Sequence, residues 1–139
     1  VHLLDTNGVS ELRKKRPHGA TLAWLHTVPD AELHLSAATL GEIQSGIELT
    51  RDQDPAKATG ISAWADLVCA SYRILPMDGA TFRESARLMH RKPAALYEDA
   101  MIAATALVHG LTVVTRNVGD FAGFGVAVVN PFAPTGKET

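Results

Sequence analysis

Residues Glu98–Phe121, EDAMIAATALVHGLTVVTRNVGDF, read as helix, tight turn, strand and then loop, with an acid near each end. Asp99 stands where a helix begins. Ala100 to His109 is rich in Ala and Leu without a breaker, and Gly110 is placed to close the helix in the left-handed conformation. Leu111 to Val114 is a short β-branched run, and Thr115-Arg116-Asn117 leaves it. About ten helical residues descend ~15 Å, and about five strand residues climb back ~16 Å. Asp99 and Asp120, twenty-one positions apart, are therefore expected on the same edge of the fold.

Outward from this stretch the same alternation recurs. Val1–Leu4 is a short apolar run that ends at Asp5-Thr6-Asn7, a strand followed by helix-capping residues. A short helix to about Lys15 is followed by Arg13–Arg16 and the breaker Pro17, and a second helix is expected over roughly Thr21–Val28. Leu33–Ser36 is the next strand. Thr39-Leu40-Gly41-Glu42 has the form of a capping box that starts a helix running to about Thr50. Asp54-Pro55 opens another helix, in which Ile61, Trp64, Leu67, Val68 and Tyr72 recur at helical spacing. Arg73–Leu75 is a strand, and Asp78 caps a helix with Phe82, Ala86 and Met89 expected inward. Val126–Val129 is the last strand. Strands alternate with helices and no tight hairpin turn joins two of them, which predicts an α/β domain with a central parallel sheet covered by helices. Residues 1–132 are expected to form one domain and 133–139 a short polar tail.

Composition fits this reading. The chain has 139 residues, 46% of them hydrophobic, enough for one domain with its own core. No apolar run approaches the ~20 residues of a membrane span, and no export signal is evident at the start of the sequence. The single cysteine, Cys69, fits a reducing compartment such as the cytoplasm and is expected in the core. A net charge of −2 makes no global appeal to nucleic acid, so any such role must rest on local charge.

In a parallel α/β sheet, ligands bind beyond the carboxyl ends of the strands. Asp5 ends the first strand, Glu42 lies early in the helix after the second, Asp99 opens its helix at that edge, and Asp120 follows the strand that returns there. Each has an ordinary structural reading: Asp5 and Glu42 as helix caps, Asp99 as a first-turn acid, Asp120 as a turn acid. Together they pose an electrostatic problem. Two carboxylates ~5 Å apart repel by about 3 kcal/mol at an effective dielectric near 20, and four would raise one another's pKa values. A divalent cation resolves this. All-oxygen ligands favour Mg²⁺ or Mn²⁺, a cation that can orient and deprotonate water and stabilise an oxyanion on phosphorus. None of the six His residues pairs with Cys or another His at zinc-ligand spacing. Thr6, Asn7, Thr115 and Asn117 stand beside the acids as supporting donors, or as caps and turn formers. The Arg13–Arg16 cluster reads as a solvated helix end or a phosphate contact.

These residues resemble the PIN-domain family and, within it, the VapC-type toxin ribonucleases with their FitB-like branch. The matching segments are Leu3-Leu4-Asp5-Thr6-Asn7 with Ser10-Glu11-Leu12, Thr39-Leu40-Gly41-Glu42-Ile43 with Gly46-Ile47, and Asp99 to Ala106 through Thr115-Arg116-Asn117 and Asp120-Phe121, ending at Val129-Asn130-Pro131-Phe132. The resemblance implies a three-layer α/β/α fold and endonucleolytic cleavage of RNA dependent on Mg²⁺ or Mn²⁺. It also implies homodimerisation and inhibition by a cognate antitoxin of a toxin–antitoxin module. Asp5, Glu42 and Asp99 match the family's three core acids, and Asp120 a fourth whose role varies. Two departures stand out: Gly8 replaces a branched apolar residue, and Glu98 adds an acid expected to face solvent. Two rival readings remain open. One is a PIN fold without catalysis, acting only as an interaction module. The other is a phospho-accepting receiver domain, which needs a paired acid after the first strand and a lysine after a late one; this sequence supplies neither.

Overall fold

The computed structural model of the protein describes residues 1–11 and 19–131. The expected Arg13–Arg16 cluster, the break at Pro17 and the tail 133–139 lie outside the described residues. The described chain forms strands β1 (His2–Leu4), β2 (Leu33–Ser36), β3 (Arg73–Leu75), β4 (Thr112–Val114) and β5 (Val128–Val129), with helices α1 (Thr6–Glu11), α2 (Gly19–His26), α3 (Ala37–Gln53), α4 (Pro55–Ser71), α5 (Gly79–Met89), α6 (Tyr97–His109) and α7 (Val118–Phe121). All strand pairs are parallel, in the order β3-β2-β1-β4-β5.

That order explains the three layers. From β1 the chain steps to β2 and β3 in one direction, then returns past β1 to β4 and β5 in the other. Crossovers of one hand put the helices of the two journeys on opposite faces. One core cluster gathers Leu4, Leu35 and Val114 of the strands with Ile43 and Ile47 of α3, Ala58 and Val68 of α4, and Leu25 of α2. The other gathers Leu3 and Val113 with Ala100, Ala103 and Ala106 of α6, Phe121 and Phe124. Neighbours in one strand, Leu3 and Leu4 or Val113 and Val114, thus serve opposite faces, as the two-residue period of a strand requires. The α/β/α fold with a central parallel sheet stands as expected.

The helices differ from expectation where the period of apolar residues misleads. α3 and α4 are 17 residues each, ~25 Å long, against strands of two to four residues that span at most ~13 Å. Apolar positions beside the buried face of α4 are left in water: Leu67 is 66% exposed and Cys69, expected in the core, is exposed, although Val68 between them is buried. On α5 the buried residues are Thr81 and Ser85, while Phe82 is 48% exposed and Ala86 is exposed. Small residues of α5 lie against the alanine-rich α6 because close approach of two helices needs small side chains; Phe82 and Ala86 are turned outward, while Met89 packs against the core as expected.

Gly8 lies within α1. A β-carbon there would lie 3.5 Å from Leu4 Cδ2, 3.6 Å from Asp5 Oδ1 and 3.7 Å from the Val114 carbonyl oxygen, all ordinary contacts. Since glycine is costly in a helix, Gly8→Ala is predicted to stabilise the protein by about 0.5–1 kcal/mol in urea unfolding. A loss of stability would show that the site needs an unobstructed glycine.

Candidate active site

The strand order reverses between β1 and β4, and a crevice opens at their carboxyl ends. Asp5 follows β1 directly, and its N–H donates to the Val114 carbonyl at 3.1 Å, which fixes the residue beside the end of β4. Its carboxylate is then enclosed: Oδ1 accepts from the Gly8 N–H at 2.9 Å and Oδ2 from Thr115 Oγ1 at 2.6 Å. Thr115 is itself held, since its Oγ1 accepts from the Asn117 N–H at 2.9 Å. Asp5 is only 4% exposed. Burial pushes its pKa up, and the Thr115 hydroxyl, the N–H groups of Gly8 and Asn7 and the charge of Arg116 pull it back.

Glu42 reaches the same crevice by a route the capping-box reading excludes. α3 begins at Ala37, because β2 runs into it without a loop and Ser36 serves as N-cap, its Oγ accepting from the Ala38 N–H at 3.1 Å. Thr39 is therefore inside the helix and buried, with no hydrogen-bond partner for its hydroxyl among the described residues. Glu42 is freed from capping. It accepts from Thr6 Oγ1 at 2.8 Å, a bond between the first helix and the third. Burial first, then a hydrogen bond with Glu98, push the Glu42 carboxyl up to about 7, with the charges of Glu98 and Asp99 adding to the rise. Glu98, expected to face solvent, is exposed yet turned toward Glu42.

α6 starts at Tyr97, with Leu96 as N-cap and no side-chain cap. Asp99 is thus the third helical residue, and its carboxylate is not spent on capping. Burial, then repulsion from Asp120, Asp5 and Glu98, raise its pKa to about 6. Gly110 closes the helix at φ 67°, as the sequence predicts. Asp120 sits on the short helix α7 and not on a loop. It is exposed, within electrostatic reach of Asp99 but outside the cleft that the others line.

That cleft, about 230 Å³, is lined by Asp5, Thr6, Asn7, Glu42, Asp99, Ile102 and Asn117. Three of the four expected acids and three of the four expected supporting residues line it, and Thr115 lies one bond behind Asp5. Ile102 and Glu98 were not expected at the site. Helical spacing would have pointed to both, since Ile102 is one turn beyond Glu98 and Asp99 on α6. Among the described residues no three His, Cys, Asp or Glu side chains stand at the spacing of a closed metal shell. The donor set still suits a hard cation. It is all oxygen, it is crowded with like charge, and two of its acids hold protons more tightly than a free carboxyl does.

The PIN domain family model matches residues 2–123. The chain is 34% identical to the VapC ribonuclease Y4jK of Sinorhizobium fredii, over 95% of this chain and 98% of that protein. It is also 34% identical to Toxin FitB of Neisseria gonorrhoeae, over 94% and 97%. Among solved structures, FitAcB from Neisseria gonorrhoeae superposes with a TM-score of 0.84 at 33% identity, covering 96% of this chain and 100% of the other. A toxin–antitoxin complex from Klebsiella pneumoniae follows at 0.73 and 26%, covering 96% and 100%. With its acids at the switch point of a parallel sheet and these matches along nearly its whole length, the chain belongs to the PIN domain family, in the branch that includes the VapC and FitB toxins.

Proposed function

We propose that the protein is the toxin of a toxin–antitoxin module and an endoribonuclease dependent on Mg²⁺ or Mn²⁺. The observation that carries this is the convergence of Asp5, Glu42 and Asp99, from three separate elements, on one polar cleft at the switch point of a PIN domain. Asp5, Glu42 and Asp99 would hold the cation, with Asp120 at the rim. When bound, the cation supplies Lewis-acid activation of water and neutralises charge developing on phosphorus. The chain's own residues do the rest. Thr115 and the Gly8 N–H fix the Asp5 carboxylate, Thr6 aims Glu42, and the side-chain amides of Asn7 and Asn117 offer donors to phosphate oxygens or water. Ile102 supplies an apolar wall that limits water. The Glu42–Glu98 pair holds a proton that must leave before Glu42 can act as a ligand.

The wider assignments follow from the relatives' names. VapC ribonuclease and Toxin FitB support RNA as substrate and toxicity as outcome, and the solved toxin–antitoxin complex supports a cognate antitoxin, whose action we assign to the acidic edge. We read residues 1–132 as the PIN domain, with 133–139 as its tail, acting in the cytoplasm as a homodimer. No helix among the described residues is long and apolar enough to cross a membrane. One observation favours a second reading, a catalytically silent PIN module: the acids do not stand at shell spacing. Calorimetry with Mn²⁺ separates the two. Binding that disappears in Asp99→Asn supports the nuclease, and the absence of any binding supports the silent module.

Asp5→Asn is predicted to lower Mn²⁺-dependent RNA cleavage more than ~100-fold with the fold intact by circular dichroism, and undiminished cleavage would defeat the assignment. Thr115→Val, which leaves every acid in place, is expected to weaken Mn²⁺ affinity roughly 10- to 100-fold. The pH dependence follows from Glu42 and Asp99, raised to about 7 and about 6. Between their ordinary values near 4 and these raised ones, the metal-free folded state binds more protons than the unfolded chain. Its stability should therefore fall as pH rises from about 4 to about 7, and more steeply than that of Asp99→Asn. Cation affinity should climb across the same window. Thermal melts with and without Mn²⁺ read both, and a metal-free stability difference that is flat with pH would contradict the raised values.

A further inference from the structure

Phe82 and Ala86, which α5 turns outward, and the half-buried Met89 form one wall of a groove of about 540 Å³ closed by His90, Arg91 and Tyr97, within the size range of ligand clefts. Phe82 is 48% and Tyr97 53% exposed, so two aromatic rings are presented in one concave surface. The surrounding segment 82–92, FRESARLMHRK, carries Arg83, Arg87, Arg91 and Lys92 against one acid, Glu84. This is the reverse of the chain as a whole, with its net charge of −2. Glu84 pairs with Arg87 at 2.6 Å, while Arg83 and Arg91 form no ion pair with any described residue. Arg91 is the non-glycine residue with a left-handed backbone, φ 61°, a conformation cheaper for glycine, and it sets its side chain at the groove. Tyr97 lies two residues before Asp99, ~3 Å along the axis of α6 and ~200° around it, so groove and acid cleft flank the first turn of one helix.

We infer that this groove holds single-stranded RNA as it enters the acid cleft, with bases stacked on Phe82 and Tyr97 and phosphates met by Arg91 and Arg83. The inference rests on the nuclease reading and names where its substrate lies. Exposed aromatics beside unpaired cations are what sequence-tolerant binding of a single strand uses. A second copy of the chain is the competing occupant. A two-fold contact through this face would bring two copies of one basic surface together, whereas a polyanion brings the opposite sign.

The test is fluorescence anisotropy with the full chain in EDTA, where no cleavage occurs, and a labelled mixed-sequence RNA of about fifteen nucleotides. Phe82→Ala/Tyr97→Ala is expected to bind roughly tenfold more weakly. Arg91→Gly is expected to lower affinity and flatten the salt dependence by about 0.7 in log–log slope, while its melting temperature rises because the left-handed backbone suits glycine. A structural role for Arg91 would move affinity and stability together. RNA affinity unchanged in both variants overturns the inference. Unchanged affinity with a fall in mass by light scattering does so too, and assigns the groove to contact between copies. If the wild type cleaves no RNA with any divalent cation yet the variants lose binding, the groove stands and the nuclease reading fails. If the wild type cleaves and the variants bind normally, the nuclease reading stands and the groove falls.

Discussion

The site depends on holding the carboxylate of Asp5 almost wholly out of water at the place where the strand order reverses. The cost of that burial is offset by three kinds of partner: the Thr115 hydroxyl, backbone N–H groups from the start of α1, and the charge of Arg116. These same contacts tie the ends of β1 and β4 together, because Thr115 follows β4 as Asp5 follows β1. The strand pairing that builds the core and the bond that aims the carboxylate are therefore one construction. A change in register between β1 and β4 would move both at once.

The other acids are placed with less support and respond to that. Glu42 has one hydroxyl donor, Thr6, and faces a second carboxyl, Glu98. Asp99 sits in the first turn of α6, where the helix terminus favours negative charge, but it meets the fields of Asp120, Asp5 and Glu98. Such a cluster without a cation relieves itself by taking up protons. The extra acid at Glu98 thus gives the cleft a way to wait in a neutral form, and makes cation binding a competition with protons at Glu42. This is why Glu98 matters although it is exposed.

Much of this was legible in the sequence, for physical reasons that differ by element. β2 and β3 match their expected bounds, since short β-branched or alternating runs flanked by caps have few other solutions, and Gly110 ended α6 because φ 67° costs glycine least. The convergence of Asp5, Glu42 and Asp99 followed from topology alone: every strand in a parallel sheet ends at the same edge. What was not legible depended on partners distant in sequence. The Thr39–Glu42 spacing fits a capping box, but β2 passes straight into α3 at Ser36 and the local pattern is overruled. The apolar stripe of α5 predicts its buried face only in part: Met89 packs against the core, but α6 offers a surface of alanines that prefers Thr81 and Ser85 to Phe82 and Ala86. Leu67 and Cys69 flank the buried Val68 on α4 and fall to either side of the face turned to the core, a distinction that apolar character alone does not make. Asp120 was expected on a loop, since a four-residue helix is too short to leave a period.

The groove beside α5 and the acid cleft flank the first turn of α6 at Tyr97 and Asp99, so one helix end stands between a basic, aromatic surface and an acidic one. That arrangement suits a substrate that is itself a polyanion: the cations and rings attract and hold it, and the acids accept it only when a cation has neutralised them. The central claim is the cation site, and anomalous diffraction from crystals soaked in Mn²⁺ tests it most directly. The account predicts a manganese peak in the cleft between Asp5, Glu42 and Asp99, lost in Asp99→Asn crystals. Manganese bound only elsewhere, or an empty cleft in crystals that otherwise take up the ion, would contradict it.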